Sequence, residues 1–370
     1  MSGDLFVRAW HVAQVQGERL ISDTGPGFPH VTEGGRWRRL MAEISGRWSE
    51  QGWSHGNWTA GFSMGFLWRL YEHTGDARWA DAVASRLPEL EPRAGDLNTH
   101  DIGFLFWPSF GLGAELTGDA HLRAVGLRAA RTLASRLQPG GYLAAWGPLE
   151  DRRARESSTI DTMMNLPLLW WSGDAALREV ARAHALTASR TYFRPDGSTY
   201  HRLRFDPDTG TVLDRGTFQG MSAGSCWSRG QAWAIAGFGR AWRETCDSAL
   251  WAAANRAADY FLTRLGERAV PPWDFADTDP RAPLDSSAAV IAAHGLMDLE
   301  RYGEARRLLS SALATCLNVG DDDGLLLHAC YSRPHNEGVD SAVIWGDYFT
   351  LACLGRVSDS PASPRRSVMI

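Results

Sequence analysis

One arrangement of apolar and polar positions recurs along the chain. An apolar stretch rich in Gly and aromatic residues comes first, then a short polar turn often spelled TGD, then a stretch of Ala and Leu interleaved with Arg at helical spacing. The first copy, WTAGFSMGFLWRLYEHTGDARWADAVASRL, begins at Trp58, and further copies begin at Ile102, Met163, Ser228 and Ser286. IWGDYFTLACL, from Ile344, supplies one more apolar stretch, whose partner is expected in the N-terminal segment around LMAEISGRW. The first stretch of each copy is apolar nearly all round, which marks a buried helix; the second has one polar face, which marks an outer one. Each copy therefore reads as an αα-hairpin. Units repeating every roughly 40–60 residues stack to bury a continuous core. Six hairpins fill the length, and no polar capping repeat is found at either end. The pattern predicts an all-α, single-domain (α/α)6 barrel over residues 1–356. The last residues, 357–370, read as a disordered tail.

The connections are unequal. Short turns (HTGD, LTGD, WSGD) run from inner to outer helix, and long irregular segments run from each outer helix to the next inner one. Within the longest of these, GSTYHRLRFDPDTGTVL alternates as a β-hairpin does, with a DPDTG turn. Long loops gathered on one rim of a rigid scaffold are where a site is expected. They meet the N-terminal ends of the inner helices, whose free N–H groups and positive dipole ends favour an anion.

Composition narrows the chemistry. The net charge is −5, so no basic field for nucleic acid or an anionic membrane arises. All 38 basic residues are Arg. Without Lys, a pyridoxal Schiff base, an aldolase-type imine and a P-loop lysine are excluded. Cys226, Cys246, Cys316, Cys330 and Cys353 are odd in number and scattered, which fits reduced thiols in a cytoplasmic protein and gives no zinc site. MSGDLFVRAW lacks a charged head followed by a long apolar run, so no signal peptide is expected. No stretch approaches the ~20 apolar residues of a membrane span. The 17 Trp residues suit a large core or platforms for sugar rings.

Two carboxylates head apolar stretches on the loop-bearing rim: Asp101 in HDIGFLFWPSF and Asp161 in DTMMNLPLLWW. An Asp at a helix start is often an N-cap. Here each also borders an apolar, aromatic setting that raises a carboxyl pKa, and each is followed by a helix-bending Pro (Pro108, Pro167). Two such groups in different environments can divide into an acid and an ionised helper, as on glycosidic bonds. The sequence leaves open whether they are close. Gln219, Trp227, Arg229, Gln231 and Trp233 cluster in QGMSAGSCWSRGQAWAIAGF. Both Trp residues can serve as core. Arg229 enters an apolar helix and needs an anionic partner, for which a sugar carboxylate is a natural candidate. His201 lies in the preceding hairpin loop. No HExxH, GxSxG, Walker or dinucleotide-type glycine motif is present.

In WTAGF with LWRLYEHTGD, HDIGFLFWPSF, IDTMMNLPLLWW, WSRGQAWAIAGF, SSAAVIAAHGLMDL and NEGVDSAVIWGDYF, the chain resembles the unsaturated glucuronyl hydrolases, glycoside hydrolases with an (α/α)6 barrel. The resemblance runs from about Trp58 to Leu354. It implies cleavage of the 4,5-unsaturated uronic acid that polysaccharide lyases leave at a non-reducing end, by hydration of the C4=C5 double bond. It implies Asp161 as the group that protonates C4 and then activates water, and Asp101 as its partner carboxylate. His201, Gln219, Trp227, Arg229 and Trp233 match substrate-contact positions, and Trp58 and Trp146 resemble aromatic walls. No cofactor or metal is implied; the partner is an unsaturated uronic-acid glycoside, and the protein is expected as a monomer or homodimer. The chain departs from the family at Ala60 (commonly acidic), Ser63 (commonly Trp) and Ala223 (usually Asp), positions expected to line or support the pocket mouth. An unsaturated rhamnogalacturonyl hydrolase is disfavoured by SRGQAWAIAGF, a sugar epimerase by the lack of paired inner-helix histidines, and a non-catalytic toroid by retention of both Asp residues.

Overall fold

The computed structural model describes residues 2–42 and 56–358. In chain order, helix α1 spans Ser2–Ser22, and a hairpin follows, β1 (Phe28–Glu33) and β2 (Arg36–Leu40). Helices α2 (Ala60–Thr74) and α3 (Ala77–Leu90) form the first inner–outer pair. The second inner helix is assembled from α4 (Ile102–Phe106), a π turn (Trp107–Gly111) and α5 (Leu112–Thr117), with α6 (Ala120–Ala134) outside it. The short α7 (Arg152–Glu156) and β3 (Ser157–Thr159) lead to a 3-10 turn (Ile160–Met164) and α8 (Pro167–Trp171), paired with outer α9 (Ala175–Thr191). Strands β4 (Arg202–Phe205) and β5 (Val212–Gly216) precede the pair α10 (Ser228–Thr245) and α11 (Ser248–Leu265). Then come α12 (Ser286–Asp298), α13 (Tyr302–Cys316), the strands β6 (Ala329–Ser332) and β7 (Glu337–Ser341), and α14 (Ile344–Ser358).

The inner elements touch in sequence, α2 to α4, α4 to α8, the 3-10 turn to α10, α10 to α12, α12 to α14, and α14 back to α2. The ring is closed, as the repeat predicts. One partner differs from expectation. The outer helix of the sixth hairpin is α1, which packs against α13, α14 and α2. In LMAEISGRW, Leu40 ends β2, and residues 43–48 lie outside the described residues. The tail from 359 also lies outside them, and α14 continues two residues past the expected boundary at 356.

The TGD turns have a plain physical basis. Gly75 and Gly118 end inner helices in the left-handed region, at φ 69° and 71°, where a Cβ is unfavourable. The Asp that follows caps the outer helix: Asp76 accepts from the N–H of Arg78, Asp119 from His121, and Asp174 from Ala176. In the fourth copy Asp247 caps in the same way, but Cys246 takes the left-handed position at φ 54°. Glycines elsewhere let inner helices meet. A Cβ on Gly103 would lie 2.3 Å from the backbone of Asn165, and one on Gly295 would lie 2.5 Å from that of Ala236.

The small sheets (β1–β2, β3–β4–β5, β6–β7) decorate the barrel at its long connections. Only the β4–β5 hairpin was legible as an alternating pattern. No helix among the described residues is long and apolar enough to cross a membrane.

Two stability changes of opposite sign follow. Gly103→Ala should cost about 3 kcal/mol by overpacking the Asn165 contact, and Cys246→Gly should gain up to about 1 kcal/mol by relieving the left-handed conformation. Chemical denaturation of both variants beside the parent measures each.

Candidate active site

At the rim that carries the long connections lies a cavity of about 380 Å³. Its lining includes Asp101, Asp161, Trp58, Trp146, His201, Gln219, Trp227, Arg229 and Trp233, whereas Gln231 of the same cluster is buried outside the lining, its Oε1 accepting from the Thr199 N–H at 2.8 Å.

Neither carboxylate is an N-cap in the functional sense. Asp101 occupies the cap position of α4, yet its side chain bonds no helix N–H. Its Oδ2 instead accepts from Thr99 Oγ1 at 3.0 Å and Trp146 Nε1 at 3.4 Å. Asp161 lies inside the 3-10 turn, one residue beyond the element start expected for it, and Thr159 holds the cap position. The break between this turn and α8 falls at Asn165 and Leu166, just before Pro167, which supplies no N–H. In the other element Pro108 sits in the π turn, and the carbonyl of Ser109 is taken by Trp68 Nε1 at 2.8 Å. Both prolines thus interrupt regular helix a turn or two beyond a carboxylate.

The two carboxylates are close. One oxygen of each, with one nitrogen of His100, falls in a cluster whose atoms are all within 4.8 Å. Asp161 Oδ1 is buried without a well-formed hydrogen bond. Burial holds the Asp161 carboxyl above its ordinary pKa; His100 acts in the opposite direction, the Asp101 charge pushes it further up, and Thr159 pulls it down. A pair arranged so can hold one proton on Asp161 and none on Asp101. Among the described residues, these three groups are also the ones that could share a metal ion. Metal ligation requires ionised carboxylates, and the preference of Asp161 for its proton opposes that.

His201 is buried, and burial, then Arg229 and Arg202, press its pKa down to about 3. The backbone N–H of Phe218 donates to its Nδ1 at 3.2 Å. The neutral ring therefore carries its proton on Nε2, as a fixed donor. Gln219 Nε2 donates to the carbonyl of Tyr331 at 2.9 Å, tying the 219 loop to β6.

Arg229 departs from expectation. Its anionic partner is Asp285, at 2.6 Å, and both groups are fully buried. The guanidinium also donates to the carbonyls of Cys330 and Tyr331 and lies 4.5 Å from the Trp227 ring and 5.4 Å from that of Trp345. Protein groups already meet the need that a sugar carboxylate was expected to fill. Trp227 and Trp233 are core as well as lining: Trp233 packs on Phe104 at 5.3 Å and on Phe349 at 5.5 Å, forming the floor. Trp58 and Trp146 are half-buried and stand as walls, Trp58 against Trp345 at 4.8 Å and Trp146 edge-on to Phe218 at 5.6 Å.

Ala60, Ser63 and Ala223 do not line the cavity. Ala60 and Ser63 are buried in α2, where the Ser63 hydroxyl donates to the Ala60 carbonyl at 3.2 Å. The Ala223 carbonyl accepts from Arg194 at 2.8 Å. Sequence reasoning missed His30, Asn57, Tyr331, Ser332, His335 and Glu337, which complete much of the lining. Several belong to the β6–β7 turn, where His335 Nδ1 and Ser332 Oγ lie 2.7 Å apart and Glu337 pairs with Arg38. The string SRPHNEG reads as a solvated turn; only the family-like NEGVDS beside it marked the region.

No protein-family model matches the chain. In sequence it is similar to the unsaturated glucuronyl hydrolase of Bacillus sp. (strain GL1), with 34% identity over 362 residues, 92% of this chain and 93% of that protein. It is 33% identical over 323 residues to the unsaturated chondroitin disaccharide hydrolase of Streptococcus pneumoniae, covering 81% of each. In structure it is similar to the crystal structure of the unsaturated glucuronyl hydrolase from Bacillus sp. GL1, described as responsible for glycosaminoglycan degradation. The TM-score is 0.87 at 32% identity, over 95% of this chain and 96% of that one.

A raised folded-state carboxyl pKa makes the ionised form a cost to folding. That cost is absent below the unfolded pKa and grows as pH rises toward the folded value. Asp161→Asn should therefore raise Tm at neutral pH, and the gain should vanish below about pH 4, near the ordinary Asp pKa. Thermal melts across that range measure it.

Proposed function

The chain belongs to the unsaturated glucuronyl hydrolase family and is a glycosidase, and from that premise we propose that it removes a 4,5-unsaturated uronic acid from the non-reducing end of a lyase-generated oligosaccharide or small glycoside, with Asp161 as the general acid and base. The observation that carries this reading is the close carboxyl pair, in which burial favours a proton on Asp161 while Asp101 is supplied with donors.

In this mechanism the protonated Asp161 delivers its proton to C4 of the double bond. Positive charge then develops at C5 and the ring oxygen, and the ionised Asp101 favours it electrostatically. Water attacks C5 and loses a proton to the Asp161 carboxylate, which regenerates the acid. The product is a hemiketal at C5. Breaking the bond between C5 and the ring oxygen opens the ring, and collapse at C1 expels the aglycone alcohol. No covalent link to the protein forms.

The other lining residues bind and orient. Trp58 and Trp146 flank the sugar ring and keep bulk water from the pair. His201, neutral with its proton on Nε2, donates to a substrate oxygen. Arg229 acts as a fixed positive field behind Trp227, tempered by Asp285, so the uronic carboxylate is attracted without displacing the buried pair. The similarity to a chondroitin disaccharide hydrolase makes unsaturated chondroitin disaccharides the first substrates to try.

Turnover is read as loss of the ultraviolet absorbance of the conjugated enol-ether acid. The unsubstituted enzyme should consume at least one unsaturated glycosaminoglycan disaccharide; no loss with any of them sinks the reading for that substrate class. Asp161→Asn should lower kcat by about 10³-fold or more, while substrate still quenches the tryptophan fluorescence of the pocket. Because the acid must carry its proton, kcat/KM should fall as pH rises through the raised Asp161 pKa, above the ordinary carboxylate range.

A further inference from the structure

His100 precedes Asp101 and is fully buried, yet it does not line the cavity. Its Nδ1 lies 2.7 Å from Oγ1 of Thr162, the residue after Asp161. Its Nε2 faces Asp101 Oδ1 across 3.5 Å. The ring stands edge-on to Trp146, with centroids 5.3 Å apart and planes at 85°, and the His100 backbone N–H donates to the Ala145 carbonyl at 2.8 Å. One nitrogen is thus held by the segment that carries Asp161, and the other is aimed at Asp101.

Only an N–H is favourable opposite a carboxylate, so Nε2 carries hydrogen. Nδ1 is held within hydrogen-bond distance of the Thr162 hydroxyl, which can serve it as acceptor or donor. Thr99 and Trp146 both donate to Asp101 Oδ2, and His100 Nε2 faces Oδ1 as a 3.5 Å ion-pair contact. Asp161 Oδ1 meets no comparable set. Two nearby carboxyls that share one proton place it on the group with the weaker donors.

The neighbouring histidines do not supply this asymmetry, whereas the Arg136 charge adds to it by acting on Asp101. His184, on α9, accepts from the Leu143 N–H through Nδ1, and burial presses its pKa down to about 3. His201 is likewise neutral. Arg136 feels the charges of both Asp96 and Asp101, but its hydrogen bonds go to the carbonyls of Leu97, Ala144 and Gly147.

We propose that His100 is a positioning residue that assigns the single proton of the carboxyl pair to Asp161, by presenting Nε2–H to Asp101 Oδ1 while Thr162 fixes the ring through Nδ1. The assignment rests on the hydrolase reading above. His100 exchanges no proton with substrate; it makes Asp101 the anion, and so leaves Asp161 the acid.

Three variants test it. His100→Phe keeps an aromatic ring and removes both nitrogens, His100→Gln keeps an N–H donor, and Thr162→Val keeps the shape but removes the partner of Nδ1. For each, kcat and KM are followed against pH with the unsaturated disaccharide released by a lyase from unsulfated chondroitin, and folding is checked by thermal melts. His100→Phe should lower kcat by at least about 10-fold with KM changed less than about 3-fold. Loss of the N–H destabilises both carboxylates, so both limbs of the pH profile should move to higher pH. Thr162→Val should move them the same way by less, and His100→Gln should recover part of kcat. If His100→Phe proves unfolded, Thr162→Val alone decides by its profile. A folded variant with an unmoved pH profile, or with its whole defect in KM, overturns the proposal and leaves His100 as core. Failure of the hydrolase reading would appear separately, as lack of turnover by the unsubstituted enzyme.

Discussion

Where Gly103 lies against Asn165, two backbones approach more closely than any side chain would allow, and the reach between the two carboxyl groups depends on that contact. Asp101 stands two residues before the glycine and Asp161 four before the asparagine. The Asn165 side chain secures the junction: its Oδ1 accepts from the N–H of Phe104 at 2.7 Å, and its Nδ2 reaches the carbonyl of Asp161 at 3.4 Å. Phe104 lies in the first turn of α4, where an N–H has no partner within its own helix. One amide thus meets the demands of two helix starts. The rest of the inner ring follows the same rule, with Gly61 against Leu105, Gly237 against Met163 and Gly295 against Ala236. At these crossings a Cβ on the glycine would collide with the neighbouring element, so the contact depends on the missing side chain.

The pocket imposes a protonation state on each group by controlling its access to water. Asp161 is pushed toward the acid form and His201 is held neutral, while the buried Arg229 is matched by Asp285 at 2.6 Å. A site preset in this way reorganises little when the double bond is protonated. The indoles of Trp58, Trp146 and Trp227 contribute to that control, each lying beside a polar group of the pocket: His30, Asp101 and Arg229.

The ring was legible because its signals are local. Helical periodicity, the left-handed glycine and the capping Asp of each TGD turn lie within a few residues of one another, so hairpins and their order could be read directly. Asp101, Asp161 and the cluster around Arg229 were legible because polar residues at the head of apolar stretches contradict their surroundings. What escaped was set by distance along the chain. Asp285 lies 56 residues from Arg229, and nothing near SSAAV announces that the Asp before it is an ion-pair partner. His335 and Glu337 sit in a turn that looks solvated, and they become lining only because β6–β7 folds over the rim. The sixth outer helix was misplaced for the same reason: α1 precedes a strand hairpin and carries no TGD signal to tie it to α14.

That pairing has a consequence for how the molecule is made. Gln16 on α1 holds the 322–324 loop through contacts spanning 306 and 308 residues, and α1 flanks α14 and α13. During synthesis, the first five inner elements can stack in order as each leaves the ribosome, forming an open crescent with two exposed edges. Only when α14 emerges can it wedge between α12 and α2 and give α1 its final seat. Loop closure over such a span is entropically slow and repaid late. The nascent crescent therefore shows apolar edges through most of translation, a window in which a second crescent could dock in place of the missing segment.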